Sequence, residues 1–95
     1  MLKIALLIDK KDNVATMLYD AKKGDEVVIS DDKNGTKILA LEDIPKGHKI
    51  AITDINKGEH VVKYGEIIGI ATKNIKRGEH VHVHNLDSVR GKVKN

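Results

Sequence analysis

Four segments of this chain repeat one local pattern, which constrains its fold more than any other feature. Each segment has an apolar or small residue, two spacer positions, a glycine, two polar residues and then β-branched residues; the segments are 21–29, 44–52, 55–62 and 75–83. Because glycine tolerates a positive φ, each copy predicts a turn followed by a short strand. The glycines at Gly24, Gly47, Gly58 and Gly78 are unevenly spaced, so the pattern does not indicate a solenoid.

Apolar runs elsewhere predict further strands. Residues 2–8 are almost continuously apolar, which is typical of a buried strand, and residues 64–71 form a second such segment. Asn34-Gly35, within 31–35, is a strong signal for a type I′ turn, so the flanking segments 27–29 and 36–40 are expected to pair.

One segment has helical spacing. Val14, Met17, Leu18 and Ala21 lie at i, i+3, i+4 and i+7 behind a potential N-cap at Asp12. This spacing predicts a short helix over about 13–22, ended by Gly24. The expected fold is therefore mostly β: a small irregular barrel of seven or eight short strands with one short N-terminal helix.

Composition limits the classes of function. The 95 residues are expected to form a single domain, 1–95, and they contain no cysteine, which excludes disulfides and thiolate metal sites. The net charge is +3, but 14 acidic residues are interspersed among 17 basic ones and only two residues are aromatic, so we expect no nucleic-acid binding. The apolar run at 4–8 is too short for a signal peptide or a membrane span, so we expect a cytoplasmic protein without membrane contact.

The stretch Gly-Glu-His-Val-His-Val-His-Asn at 78–85 carries most of the chemistry. On an extended strand His80, His82 and His84 would share one face, with neighbouring rings on the order of 7 Å apart and the valines on the other face. Two such imidazoles could reach one metal ion or one anionic ligand. The alternative is an exposed strand face that merely carries histidines, but three imidazoles on one face would repel each other when protonated, which favours a functional role.

Four motifs in one order resemble the UxaA family, and within it the small N-terminal SAF domain of altronate and galactarate dehydratases. They are DNVAT (12–16), DIPKGHKIAI (43–52), KYGEIIGIAT (63–72) and GEHVHVHNL (78–86), and the resemblance covers residues 12–91. It implies a β-clip fold and dehydration of a hexonate or hexarate to a 2-keto-3-deoxy acid. It further implies dependence on Fe²⁺ or Mn²⁺ and a large catalytic dehydratase subunit as partner.

On the basis of this resemblance we assign roles to six residues. His82 and His84 are the expected metal ligands, His80 and Asn85 the expected substrate-binding residues, and His48 and Lys63 the expected catalytic residues. A lysine at position 63 would neutralise a substrate carboxylate as a point charge. Structural alternatives remain open, since His48 could cap its turn, His80 could belong to the turn scaffold, Lys63 could be a surface residue and Asn85 could start a turn.

The leading interpretation is the small subunit of an altronate-type dehydratase, inactive or nearly so alone, with a sugar acid as its substrate. One alternative is the related alpha subunit of sulfolactate sulfo-lyase, which would release sulfite instead of water. A second alternative, from another class, is a binding module that holds a sugar acid without catalysis.

Overall fold

The computed structural model describes residues 2–30 and 35–88, which fold into short strands and turns without a helix. The strands in these residues are β1 Lys3–Leu6, β2 Val14–Met17, β3 Glu26–Ile29, β4 Lys37–Leu39, β5 Lys49–Ala51, β6 His60–Lys63, β7 Glu66–Ala71, β8 His80–Val81 and β9 Leu86–Ser88. The predicted mostly-β fold is therefore confirmed.

Two sheets contain these strands. The larger sheet has the order β4-β3-β1-β2-β5-β8 and curls into a half-barrel, and the smaller has the order β6-β7-β9. β1 and β3 are parallel, and the remaining neighbours are antiparallel. One buried core includes Met17, Ile44 and Ile50, and a second includes Val61 and Val81.

The four repeats form the predicted glycine turns and pair two by two. The φ angles of Gly24, Gly47, Gly58 and Gly78 are 94°, 85°, 91° and 96°. The first repeat pairs with the second through a bridge between Ala21 and Ile44, and the third with the fourth through Ile55 and Ile75. In each pair, a side-chain oxygen just before one repeat accepts a backbone N–H from the other repeat. These contacts are Asp20 with Lys46, Asp43 with Lys23, Asp54 with Arg77 and Asn74 with Lys57.

The predicted helix over 13–22 is wrong, because Val14–Met17 form strand β2. β2 lies between β1 and β5 and pairs with both, so its backbone gains partners that a short isolated helix would lack. Leu18, which the helical stripe would bury, is 39% exposed. Gly24 does not end a helix but forms the turn of the first repeat.

Asp12 and Asn13 hold a hairpin instead of capping a helix. Tyr64 and Gly65 have φ of 57° and 76° and join β6 to β7, as a two-residue type I′ turn requires. The Gly65 N–H donates to Asp12 Oδ1 at 2.8 Å. The Asn13 side chain accepts from the Val62 N–H at 2.8 Å and donates to the His60 carbonyl at 2.9 Å. These contacts fix β6 against the larger sheet.

The strand predictions for 2–8, 27–29, 36–40 and 64–71 agree with the structure. β1 occupies the apolar run at 2–8, and β7 occupies the segment at 64–71. β3 and β4 form the predicted antiparallel pair, with Val27 opposite Ile38. Of the predicted turn between them, residues 31–34 lie outside the described residues. No helix that is long and apolar enough to span a membrane occurs in the described part of the chain.

Candidate functional site

The histidine-rich stretch is a turn and not the extended strand that alternation predicted. β8 ends at Val81, and residues 82–85 turn back towards β9. The side chain of Asn85, which is 5% exposed, accepts from the His82 N–H and donates to the His80 carbonyl, both at 2.9 Å. These hydrogen bonds satisfy backbone groups locally and favour the turn over a continued ladder. Val83 consequently projects outward and is 82% exposed.

The turn brings His80 and His82 against His48 of the second repeat. His48 Nδ1 and His80 Nε2 lie 2.9 Å apart, and the ring centroids of His48 and His82 are 4.2 Å apart. One ring nitrogen from each of His48, His80 and His82 lies within 4.8 Å of the others, and we call these three residues the histidine cluster. His84 lies beside it, exposed, with its ring 5.1 Å from that of His80. The histidine cluster thus brings together His48, His80 and His82, for which we predicted a catalytic, a substrate-binding and a metal-binding role.

A difference between the repeats explains why His48 is available. In the other three repeats an acidic side chain follows the glycine and accepts the backbone N–H of the residue three positions earlier. These contacts join Asp25 to Lys22, Glu59 to Asn56 and Glu79 to Lys76, at 2.9, 2.7 and 2.9 Å. In the second repeat the corresponding residues are His48 and Pro45, and proline has no N–H. The imidazole therefore does not cap its own turn and instead contacts His80.

Two neighbouring parts of the chain, the segment 39–42 and strand β5, hold His80 in place. The His80 N–H donates to Glu42 Oε2 at 2.9 Å, and the Leu41 N–H donates to the Gly78 carbonyl at 2.9 Å. A Cβ on Gly78 would collide with the carbonyl oxygen of Leu39, so the segment before Glu42 can approach this closely only because residue 78 is glycine. His80 also pairs with Ile50 across β5 and β8.

Crowding and burial keep the imidazoles of His80 and His82 neutral. Burial, together with the neighbouring His84, His48 and His82, lowers the pKa of His80 to about 4, and Glu42 opposes this only in part. Burial and the nearby His48, Lys49 and His84 also lower the pKa of His82. At neutral pH both rings therefore carry a free lone pair, which can accept a proton or bind a metal ion.

Two lysines act on one another next to the site: the charge of Lys49 affects His82, and that of Lys63 affects Lys49. Lys63 ends β6, and its Nζ lies 4.8 Å from the centroid of the Tyr64 ring. Lys49, which we did not predict, begins β5 next to His48; burial and the charge of Lys63 lower its pKa. A signal for Lys49 was present in the sequence, because it lies two positions after its repeat glycine, as His80 does in the fourth repeat.

The predicted roles of Lys63, Asn85 and His84 stay predictions. Asn85 has a structural task, since both polar atoms of its side chain bind backbone groups of the turn. Lys63 is part-buried and close enough to Lys49 to affect its pKa. The predicted metal pair of His82 and His84 shares one residue with the histidine cluster.

Comparison with known proteins identifies the domain. The family model for the altronate/galactarate dehydratase SAF domain matches residues 3–89, which include all nine described strands and the histidine cluster. No curated protein matches the chain significantly. The match confirms the predicted resemblance to the SAF domain of altronate and galactarate dehydratases and associates the chain with dehydratases of sugar acids. The chain therefore belongs to the altronate/galactarate dehydratase SAF domain family.

Proposed function

We propose that this chain is the small subunit of an altronate-type dehydratase and supplies part of a metal-dependent site that it shares with a large catalytic subunit. The observation that supports this most strongly is the histidine cluster, in which three part-buried imidazoles come together within a domain of a dehydratase family. The substrate would be a hexonate or hexarate, and the product a 2-keto-3-deoxy acid. We expect the complex to be cytoplasmic.

The donor set of the histidine cluster fits Fe²⁺ or Mn²⁺. Imidazole nitrogens suit both ions, and the three candidate donor atoms are within 4.8 Å of one another. A bound ion would stabilise the negative charge that develops when a proton is removed next to a carboxylate. No carboxylate of the described residues belongs to the histidine cluster. The other ligands would therefore come from the large subunit, the substrate or water.

The exposure of the cluster supports a shared site. His48, His80 and His82 are all part-buried, and Val83 projects into solvent at the rim of the same turn. A catalytic site for proton removal works best when water is excluded, and a covering surface from the large subunit would achieve that. In such a complex Lys63 would offset the charge of the substrate. His48 would accept the proton in an arrangement where the ion is held by His80 and His82, because an imidazole lone pair that binds a metal ion cannot also accept a proton.

Reconstitution tests the proposal. The large chain would be assayed with D-altronate and with galactarate, alone and after addition of this chain, by the appearance of a 2-keto-3-deoxy acid. We expect turnover to require both chains. His80→Ala should abolish it, whereas His60→Ala should not, because His60 occupies in the third repeat the position that His80 occupies in the fourth but lies outside the cluster.

The other outcomes of this assay are equally informative. Full turnover by the large chain alone would refute the proposal. Release of sulfite from sulfolactate, with no dehydration of either sugar acid, would identify the sulfo-lyase alternative. Binding of a sugar acid without any large chain in pull-downs would identify a binding module.

A further inference from the structure

Val83 is the most exposed large apolar side chain among the described residues. It is 82% exposed, whereas Val81, two residues earlier, is fully buried. The equivalent position of the first repeat is the buried Ile29, and that of the second is Ile52, which packs against the core. In the fourth repeat the chain leaves the strand after Val81, so the apolar residue at this position faces water.

Hydrogen bonds fix the turn that carries Val83. The Asn85 N–H donates to the His82 carbonyl at 3.0 Å. The buried Asn85 side chain also accepts from the His82 N–H and donates to the His80 carbonyl. The apolar side chain is thus presented to water on a turn whose conformation is already set. A partner that covers such a turn loses little affinity to the ordering of the chain.

The position of Val83 in the chain indicates what covers it. Val83 directly follows His82, and consecutive Cα atoms are about 3.8 Å apart, so a polypeptide that covers His82 comes within side-chain reach of Val83. The exposed His84 follows, with its ring 5.1 Å from that of His80. No carboxylate of the described residues belongs to the histidine cluster, so the surface that completes the site comes from another chain.

We propose that the turn at 82–85 is a docking element for the large catalytic subunit, with Val83 as the apolar side chain that enters a pocket of that subunit. The identity of this partner rests on the proposed function. Isolated apolar residues are common on protein surfaces, and Val83 differs from them because it lies on a fixed turn beside the cluster. Its transfer from water into an apolar pocket is favourable, and it brings the covering surface over His82.

Titration of the large chain with this chain tests the inference. Dehydration of D-altronate or galactarate would be followed at a fixed concentration of the large chain. The data give the concentration of this chain at half-maximal turnover and the maximal rate. Val83→Ser should raise the half-maximal concentration about tenfold, because this is the contribution expected from burial of a valine side chain. The maximal rate should stay unchanged, because Val83 takes no part in the chemistry.

Two further variants locate the docking element. Val83→Ile keeps the side chain apolar, so its half-maximal concentration should stay within about fourfold, the effect of one methylene group. Ile67→Ser is the matched control, since Ile67 is 49% exposed but lies on β7 of the smaller sheet; it should change the value by no more than about twofold. The histidine ring NMR signals of the cluster should be retained in Val83→Ser, which shows that the turn is intact.

Several results would overturn the inference. They are equal half-maximal concentrations for Val83→Ser and the unmodified chain, an equal loss in Ile67→Ser, or a lower maximal rate at an unchanged half-maximal concentration. In each case turnover by the two unmodified chains would leave the proposed function standing. Binding of the two chains measured directly, dependent on Val83 but without turnover, would support the docking element and refute the dehydratase function. No binding between the two chains would refute both.

Discussion

Replacing Pro45 by lysine and His48 by glutamate would rebuild in the second repeat the turn that the other three repeats contain. In those repeats an acidic side chain accepts a backbone N–H at 2.7 to 2.9 Å. Each substitution alone leaves the contact incomplete, because Pro45 has no N–H and His48 has no carboxylate. We therefore expect the two substitutions to be coupled.

The size of the coupling follows from the contact that is created. A carboxylate capping an exposed backbone N–H contributes about 1 kcal/mol to the free energy of unfolding. Loss of proline costs about 0.4–1 kcal/mol through the entropy of the unfolded chain. This cost is the same whether the Pro45 substitution is made in the original chain or in the His48→Glu variant. It therefore cancels in a double-mutant cycle, which should give a coupling energy of about 1 kcal/mol in favour of the double variant.

Denaturant unfolding of the four proteins in the cycle measures this coupling. The double variant should also lose the 2.9 Å contact between His48 and His80, which histidine NMR signals would report. A coupling energy near zero, or full stabilisation by His48→Glu in the presence of Pro45, would refute the explanation for the free imidazole.

Three further predictions concern stability. Gly78→Ala should lower the free energy of unfolding by about 3 kcal/mol, because the added Cβ meets the Leu39 carbonyl. Gly47→Ala should lower it by about 1 kcal/mol, because only the positive φ opposes the substitution. Equal losses in denaturant unfolding would contradict this. Thr16→Val should stabilise the chain by about 1 kcal/mol, since the buried Thr16 Oγ1 has no hydrogen-bond partner in the described residues; destabilisation would show that this hydroxyl is satisfied in solution. The metal-free chain should lose about 1 kcal/mol between pH 6.5 and about 4, because the unfolded state protonates His80 before the folded state does; His80→Gln should remove most of this dependence.

The glycine turns and most strands could be predicted because their signals are local. A glycine with positive φ followed by β-branched residues determines its own turn and strand, as the φ of 96° at Gly78 shows. The helix over 13–22 failed for the opposite reason. Its spacing suited a helix, but pairing with β1 and with Ile50, far along the chain, decides the conformation of β2.

The site was predicted only in part because its contacts are non-local. His48 and His80 are 32 residues apart, and nothing in either segment specifies that they meet. The turn after Val81 depends on the amide of Asn85, which a two-residue alternation cannot reveal. The exchange of a capping acid for His48, with Pro45 before it, was visible in an alignment of the four repeats and would have indicated a free imidazole.

Binding of Mn²⁺ to the chain tests the central claim most directly, because a paramagnetic ion broadens the NMR signals of the nuclei nearest to it. At substoichiometric Mn²⁺ we expect selective broadening of the ring signals of His48, His80 and His82. The ring of His60, exposed and outside the cluster, should be affected last. Equal broadening of His60 and the three cluster histidines would contradict the account.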